Sequence, residues 1–92
     1  MTSFESKTQA ELKKMLEDRN LWSRIKSGKL TKVTQAAVPS KALPGGTSKI
    51  ISYYDSSSQY VCTIHQITTK KGDILHEHVK DALIEGVRYR AQ

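Results

Sequence analysis

From Leu30 onward, short runs of β-branched and aromatic residues alternate with clusters of Gly, Pro, Ser and Asp. That punctuation restricts most of the chain to strands joined by turns, since such runs are too short for helices and their boundaries favour chain reversal. Leu30 to Val38 (LTKVTQAAV) reads as a first strand, and Pro39 to Ser48 (PSKALPGGTS) as a flexible loop. Lys49–Asp55 and Tyr60–Thr69 flank a DSSSQ turn and form a hairpin. Lys70-Lys71-Gly72-Asp73 turns the chain into Ile74–Val79, and a further turn near Lys80-Asp81 leads into Ala82–Arg90. Gly86 leaves the last stretch open to a bulge or another turn.

The N-terminal third has a different period. Thr8-Gln-Ala-Glu11 has the form of a capping box, in which hydroxyl and carboxylate each serve the other residue's backbone N–H. Leu12, Met15 and Leu16 follow at helical spacing. Leu21, Trp22 and Ile25 are rotated away from that stripe, so the helix either bends or breaks near Asn20. Gly28 is a natural stop, with Arg24 and Lys26 placed to complement the helix dipole. The expected fold is α+β: one N-terminal helix, bent or broken near Asn20, on a four- to five-stranded antiparallel sheet. Residues 1–92 are expected to form a single domain.

A chain of 92 residues has little volume to spare for a deep, water-excluded site. Met1-Thr-Ser-Phe-Glu5 lacks the basic and apolar regions of a signal peptide, and no apolar run reaches membrane-spanning length. Cys62 is the only cysteine, which fits a reducing compartment. The expectation is a cytoplasmic protein without a cofactor, a metal or a membrane anchor.

Charge is the strongest functional signal. Lys and Arg number 15 against 9 Asp and Glu, for a formal charge of +6. Between Arg19 and Tyr54 there is no acidic residue, yet that segment carries Arg19, Arg24, Lys26, Lys29, Lys32, Lys41 and Lys49. A field of one sign over that much chain attracts and steers polyanions. Arg24, Lys26, Lys29, Lys32, Lys41 and Lys49 are therefore the candidate contacts to RNA or to a ribonucleoprotein, with Arg19 second because Asp18 adjoins it. No recognised RNA-binding signature is present, so contact to phosphates has to supply the affinity.

Three further features compete with that reading. All three histidines lie in His65–His78 (HQITTKKGDILHEH). A two-residue Lys71-Gly72 loop would pair His65 with His78, but a three-residue Lys70-Lys71-Gly72 loop with a left-handed Gly72 suits this turn better and sets His65 opposite Glu77. His65 is then expected on the face away from His76 and His78, and two imidazoles alone make a poor zinc site. Gly45-Gly-Thr-Ser-Lys49 has the wrong order for a Walker motif, although its N–H groups beside Lys41 and Lys49 suit a single phosphate. Cys62, between Val61 and Ile64, reads as a packed thiol. Tyr53 and Tyr54 point to opposite faces, so one at most is free to stack on a base.

His76, Glu77, His78, Arg88 and Arg90 supply the side-chain types used in metal-free RNA cleavage. With its N-terminal helix and antiparallel sheet, the chain resembles the compact toxin ribonucleases of the RelE, barnase and colicin kind. No diagnostic motif accompanies that resemblance, and no catalytic residue carries over. In its small size, basic charge and single domain the chain also resembles the phage anti-CRISPR proteins that block type I surveillance complexes. That resemblance implies a non-enzymatic inhibitor acting in the host cytoplasm on RNA or an acidic protein surface, since +6 excludes mimicry of DNA.

Overall fold

A computed structural model describes residues 4–92. The elements run β1 (Phe4–Lys7), α1 (Gln9–Asp18), α2 (Leu21–Lys26), β2 (Thr31–Pro39), β3 (Thr47–Tyr54), β4 (Tyr60–Thr68), β5 (Ile74–Ile84) and β6 (Val87–Ala91). All the strands join one six-stranded sheet in the order β1-β6-β5-β4-β3-β2. β2 to β6 form an antiparallel meander, while β1 lies parallel to β6 and pairs Phe4 with Arg88 and Lys7 with Ala91. The class is α+β, but the sheet has more strands than the expected four or five and is mixed. Phe4–Lys7 carries too little pattern to be legible as a strand, since a four-residue edge needs only a partner.

The helical segment breaks into two. The Thr8 capping box forms, with Glu11 N–H donating to Thr8 Oγ1 at 3.1 Å and Thr8 N–H to Glu11 Oε1 at 3.3 Å. Asn20 then enters the left-handed region at φ 63°, a conformation asparagine tolerates better than most residues, and α2 restarts along a new axis. The break reconciles the two apolar stripes. Leu12 and Leu16 from α1 and Ile25 from α2 are buried against Ile51, Cys62, Ile64, Val79, Ala82 and Ile84 of the sheet, with Met15, Leu21, Trp22, Tyr89 and Ala91 packed around them. Burying a side chain of the Leu or Ile kind stabilises by roughly 1.5–3 kcal/mol.

Two turns correct the expected strand plan. β5 runs straight through Lys80-Asp81, absorbing one extra residue as a bulge where the register to β4 shifts between Thr63 and Ile64. The reversal comes instead at Glu85-Gly86, both at positive φ (51° and 80°), a two-residue hairpin loop of the type I′ kind. The β2–β3 connection is shorter than the expected loop over 39–48, because Pro39 still pairs with Thr47. It is held by Ser40 N–H to Gly46 O, Gly46 N–H to Leu43 O, and Leu43 N–H to Ser40 Oγ.

Gly46 is the tightest point of that connection. A Cβ there would meet the Thr68 carbonyl oxygen at 2.7 Å and Leu43 Cδ2 at 2.9 Å. Backbone cannot yield as a side chain can, so Gly46→Ala should cost about 1–3 kcal/mol, the usual penalty of overpacking. Urea unfolding followed by circular dichroism checks this, and an unchanged midpoint contradicts it.

Candidate functional site

The helices cover only part of one sheet face. Lys32 pairs across from Tyr53, and Tyr53 from the core residue Cys62, so alternation puts Lys32 on the helix-bearing face. Lys49 lies opposite Gln66, and Gln66 opposite Glu77, on that same face. A groove of about 250 Å³ runs between α2 and the uncovered sheet, with Lys26 and Lys32 on its walls and Tyr53 and Gln66 on its floor. Arg24 sits in the last turn of α2, and Lys29 follows it, its N–H bonded to Arg24 O at 3.1 Å. Lys41 stands apart. It lies in the β2–β3 connection, beside a hollow lined by Val38, Ser48 and Ile67.

Ion pairing divides the candidates. Among the described residues, Arg24, Lys29, Lys32, Lys41 and Lys49 form no salt bridge, whereas Lys26 Nζ binds Glu77 Oε1 at 2.6 Å. Glu77 is also held by Gln66 Nε2 at 2.5 Å, and Lys26 lies 5.6 Å from the Trp22 ring centre. Lys26 thus ties α2 to β5 and is partly neutralised, and its rank as a phosphate contact falls. Arg19 pairs with Glu85 at 3.1 Å, across a sequence distance no local pattern reveals.

The opposite, open face overturns the expected separation of the histidines. The loop over Lys70–Gly72 forms as expected: Thr69 N–H donates to Asp73 O at 2.8 Å, and Gly72 has φ 94°. One residue later a bulge shifts the register, so that Thr68 pairs with Ile74 but Ile67 with His76 and His65 with His78. The extra residue, Leu75, restores all three imidazoles to one side. His65 Nε2 lies 2.7 Å from Ser48 Oγ, and His65 Nδ1 lies 3.4 Å from His78 Nε2. The two rings meet edge to face, 4.8 Å between centres and 76° between planes. Burial, followed by positive charge on His65, Lys80 and His76, holds the His78 pKa below the usual imidazole value.

A second polar network on this face had no sequence signal beyond its residue types. Tyr60 donates its phenolic hydrogen to Asp81 Oδ1, Ser52 Oγ meets Thr63 Oγ1 at 3.1 Å, and the Tyr60 hydroxyl also contacts that threonine. Arg88 reaches both Asp81 oxygens at 3.3 and 3.2 Å and stacks 4.5 Å from the Tyr60 ring centre. Burial first, and then the bond to Asp81, raise the Tyr60 pKa, so the phenol stays protonated. Arg88 is thereby committed to a carboxylate. The residues expected to act together in RNA cleavage are also divided, since Glu77 turns to the helix-bearing face while His76, His78, Arg88 and Arg90 line the open one.

The remaining candidates resolve by packing. Gly46 spends its N–H on Leu43 and Thr47 already belongs to β3, so the Gly45–Lys49 stretch does not form the phosphate cradle its composition suggested. Tyr53 is buried, and Tyr54 is half-buried against Tyr60 with ring centres 5.9 Å apart. Neither offers an open stacking platform. Among the described residues no group of three or more His, Cys, Asp or Glu is placed to hold a metal ion, and no helix is long and apolar enough to cross a membrane. The chain matches no protein-family model, and neither curated proteins nor solved structures gave a match.

Two outcomes follow from this geometry. The Cys62 thiol is inaccessible, and burial, with the nearby Asp81 charge, pushes its pKa up to about 12. In the folded protein at pH 8 it should react with a chromogenic disulfide reagent at least a hundredfold more slowly than in denaturant, because thiolate and access are both lacking; equal rates would contradict the burial. His78 binds its proton less readily in the folded chain than in the unfolded one. Its stabilising contribution is therefore complete above the unfolded imidazole value of about 6.5 and declines as pH falls through that range. His78→Gln should flatten the loss of stability between neutral and mildly acidic pH in chemical-denaturation curves.

Proposed function

We propose that this protein is a non-enzymatic basic binding protein that engages RNA, free or within a ribonucleoprotein, through its helix-bearing face. The observation carrying this reading is the set of cations without carboxylate partners in an acid-free segment, with Lys32 and Lys49 on one sheet face beside the α2 groove. Arg24 and Lys29 at the end of α2 extend that surface, and Lys41 adds charge at the far end of the β2–β3 hairpin. With Tyr53 buried and Tyr54 packed on Tyr60, phosphate contact outweighs base stacking, and binding is expected to be strongly salt-dependent and tolerant of sequence. The narrower form of the proposal is an inhibitor like the anti-CRISPR proteins, acting in the cytoplasm on the RNA of a type I surveillance complex. Its support is the resemblance in size, charge and build.

A ribonuclease is the second reading, favoured by one specific arrangement: His65 and His78 touch on the open face that also carries Arg88 and Arg90. Labelled single-stranded RNA incubated with the protein in EDTA separates the two readings on one gel. A shifted band of intact RNA is expected, while shortened products that vanish in His65→Ala would establish cleavage. The affinity should fall with salt at a logarithmic slope of about −3 for four neutralised phosphates. Lys32→Glu with Lys49→Glu should weaken binding at least tenfold and reduce that slope by about 1.4, whereas unchanged affinity and slope would refute the assigned surface.

A further inference from the structure

We propose that His65 and His78 form a two-imidazole chelate for a zinc ion on the open face of the sheet, with water completing the coordination. The inference starts from a distance. His65 Nδ1 and His78 Nε2 are 3.4 Å apart, a long hydrogen-bond contact between two ring nitrogens that face each other. Two nitrogens bound to one tetrahedral ion at about 2.0–2.1 Å are separated by about 3.4 Å.

Ser48 supplies the second element. Its Oγ lies 2.7 Å from His65 Nε2, the nitrogen that faces away from His78. When Nε2 carries the proton and donates it to Ser48 Oγ, the lone pair of Nδ1 faces His78 and is available to the ion. Metal-ligating histidines are commonly oriented in this manner by a hydrogen bond at their other nitrogen. Without a cation the same three residues are satisfied by the other tautomer, with Ser48 donating to Nε2 and Nδ1–H making a long bond to His78. Zinc binding therefore selects one of two tautomers of a preset trio and needs no rearrangement of the sheet.

The surroundings set the strength and the specificity. Ile50 pairs directly opposite His65, which limits water on that side. Lys80 and a net charge of +6 oppose a dication. Binding is accordingly weaker than at a closed four-ligand centre and involves two protein ligands only. His76 shares the face but pairs across from Ile67, two positions along the ladder from the His65–His78 pair, and it serves as the internal control.

The test is a calorimetric zinc titration of the untagged full-length chain after EDTA treatment and dialysis, with imidazole resonances followed by NMR. One zinc per chain is expected, with both His65 and His78 resonances perturbed. His65→Ala or His78→Ala should lower the affinity at least tenfold, Ser48→Ala about tenfold, and His76→Ala should leave it unchanged. His65→Gln, which keeps a polar side chain at that position, should also lose zinc while retaining a cooperative unfolding transition, so lost binding is distinguished from lost folding. The absence of saturable binding, one zinc per two chains, or equal dependence on His76 would overturn the proposal. RNA affinity, which concerns the other face, should be the same in His65→Ala and the parent chain.

Discussion

The pairing of β4 with β5 is the constraint on which most of this structure depends. It brings Ile64 against Val79 and Cys62 against Ala82 in the core, and Gln66 beside Glu77 where Lys26 anchors α2. It also places Thr63 next to Asp81 and His65 next to His78 on the opposite face. These pairs could not all coexist in a ladder of uniform register. The register shift between Thr63 and Ile64 allows it, and a second, between Ile67 and Thr68, fits this register to the Lys70–Gly72 loop. Each bulge moves the following residues of β5 to the other face relative to an uninterrupted strand. The chemistry of the open face is thus a consequence of two extra residues, Leu75 and Lys80.

The same ladder explains how the charges sort. Five of the nine acidic residues lie beyond the helices, and β5 with its following turn holds three of them, Glu77, Asp81 and Glu85. Each accepts one cation: Lys26, Arg88 and Arg19 respectively. Once those pairs form, the carboxylates of this region are spent. Lys32 and Lys49 belong to β2 and β3, two strands without an acidic residue, and are left without a carboxylate partner. The cationic character of that side therefore follows from where the acids are, as much as from where the lysines are.

How much of this was legible in the sequence depended on the range of the interaction. The Thr8 capping box, the stop at Gly28 and the Lys70–Gly72 loop are local devices, and each forms with the residues that signalled it. The Asn20 break was visible as two stripes out of phase, because the left-handed residue between them resets the helical angle. Bulges leave almost no local trace. Leu75 is an ordinary strand residue, and nothing near it shows that it will go unpaired, so the sequence pattern alone places His65 on the wrong face. The turn at Glu85-Gly86 was obscured by Glu85, a poor residue for positive φ, and Lys80-Asp81 looked the better reversal. Of the candidate cations, the free ones could be listed from composition, but the commitment of Lys26 to Glu77 spans 51 positions.

Distribution of polar groups between the two faces carries a last consequence. On the helix-bearing face, Glu77 and Gln66 are consumed in fixing α2, and what remains is lysine on β2 and β3 without a carboxylate partner. Such a surface is suited to a diffuse ligand that pays little for imprecise placement, as a phosphate chain does. On the open face, Ser48, His65 and His78 come from three adjacent strands and bond to one another, so their atoms are held by the ladder itself. A site on strands is placed more closely than one on loops. Under the two proposals the faces therefore differ in the ligand each discriminates: extended charge on one side, and on the other a single atom at a fixed distance from two nitrogens.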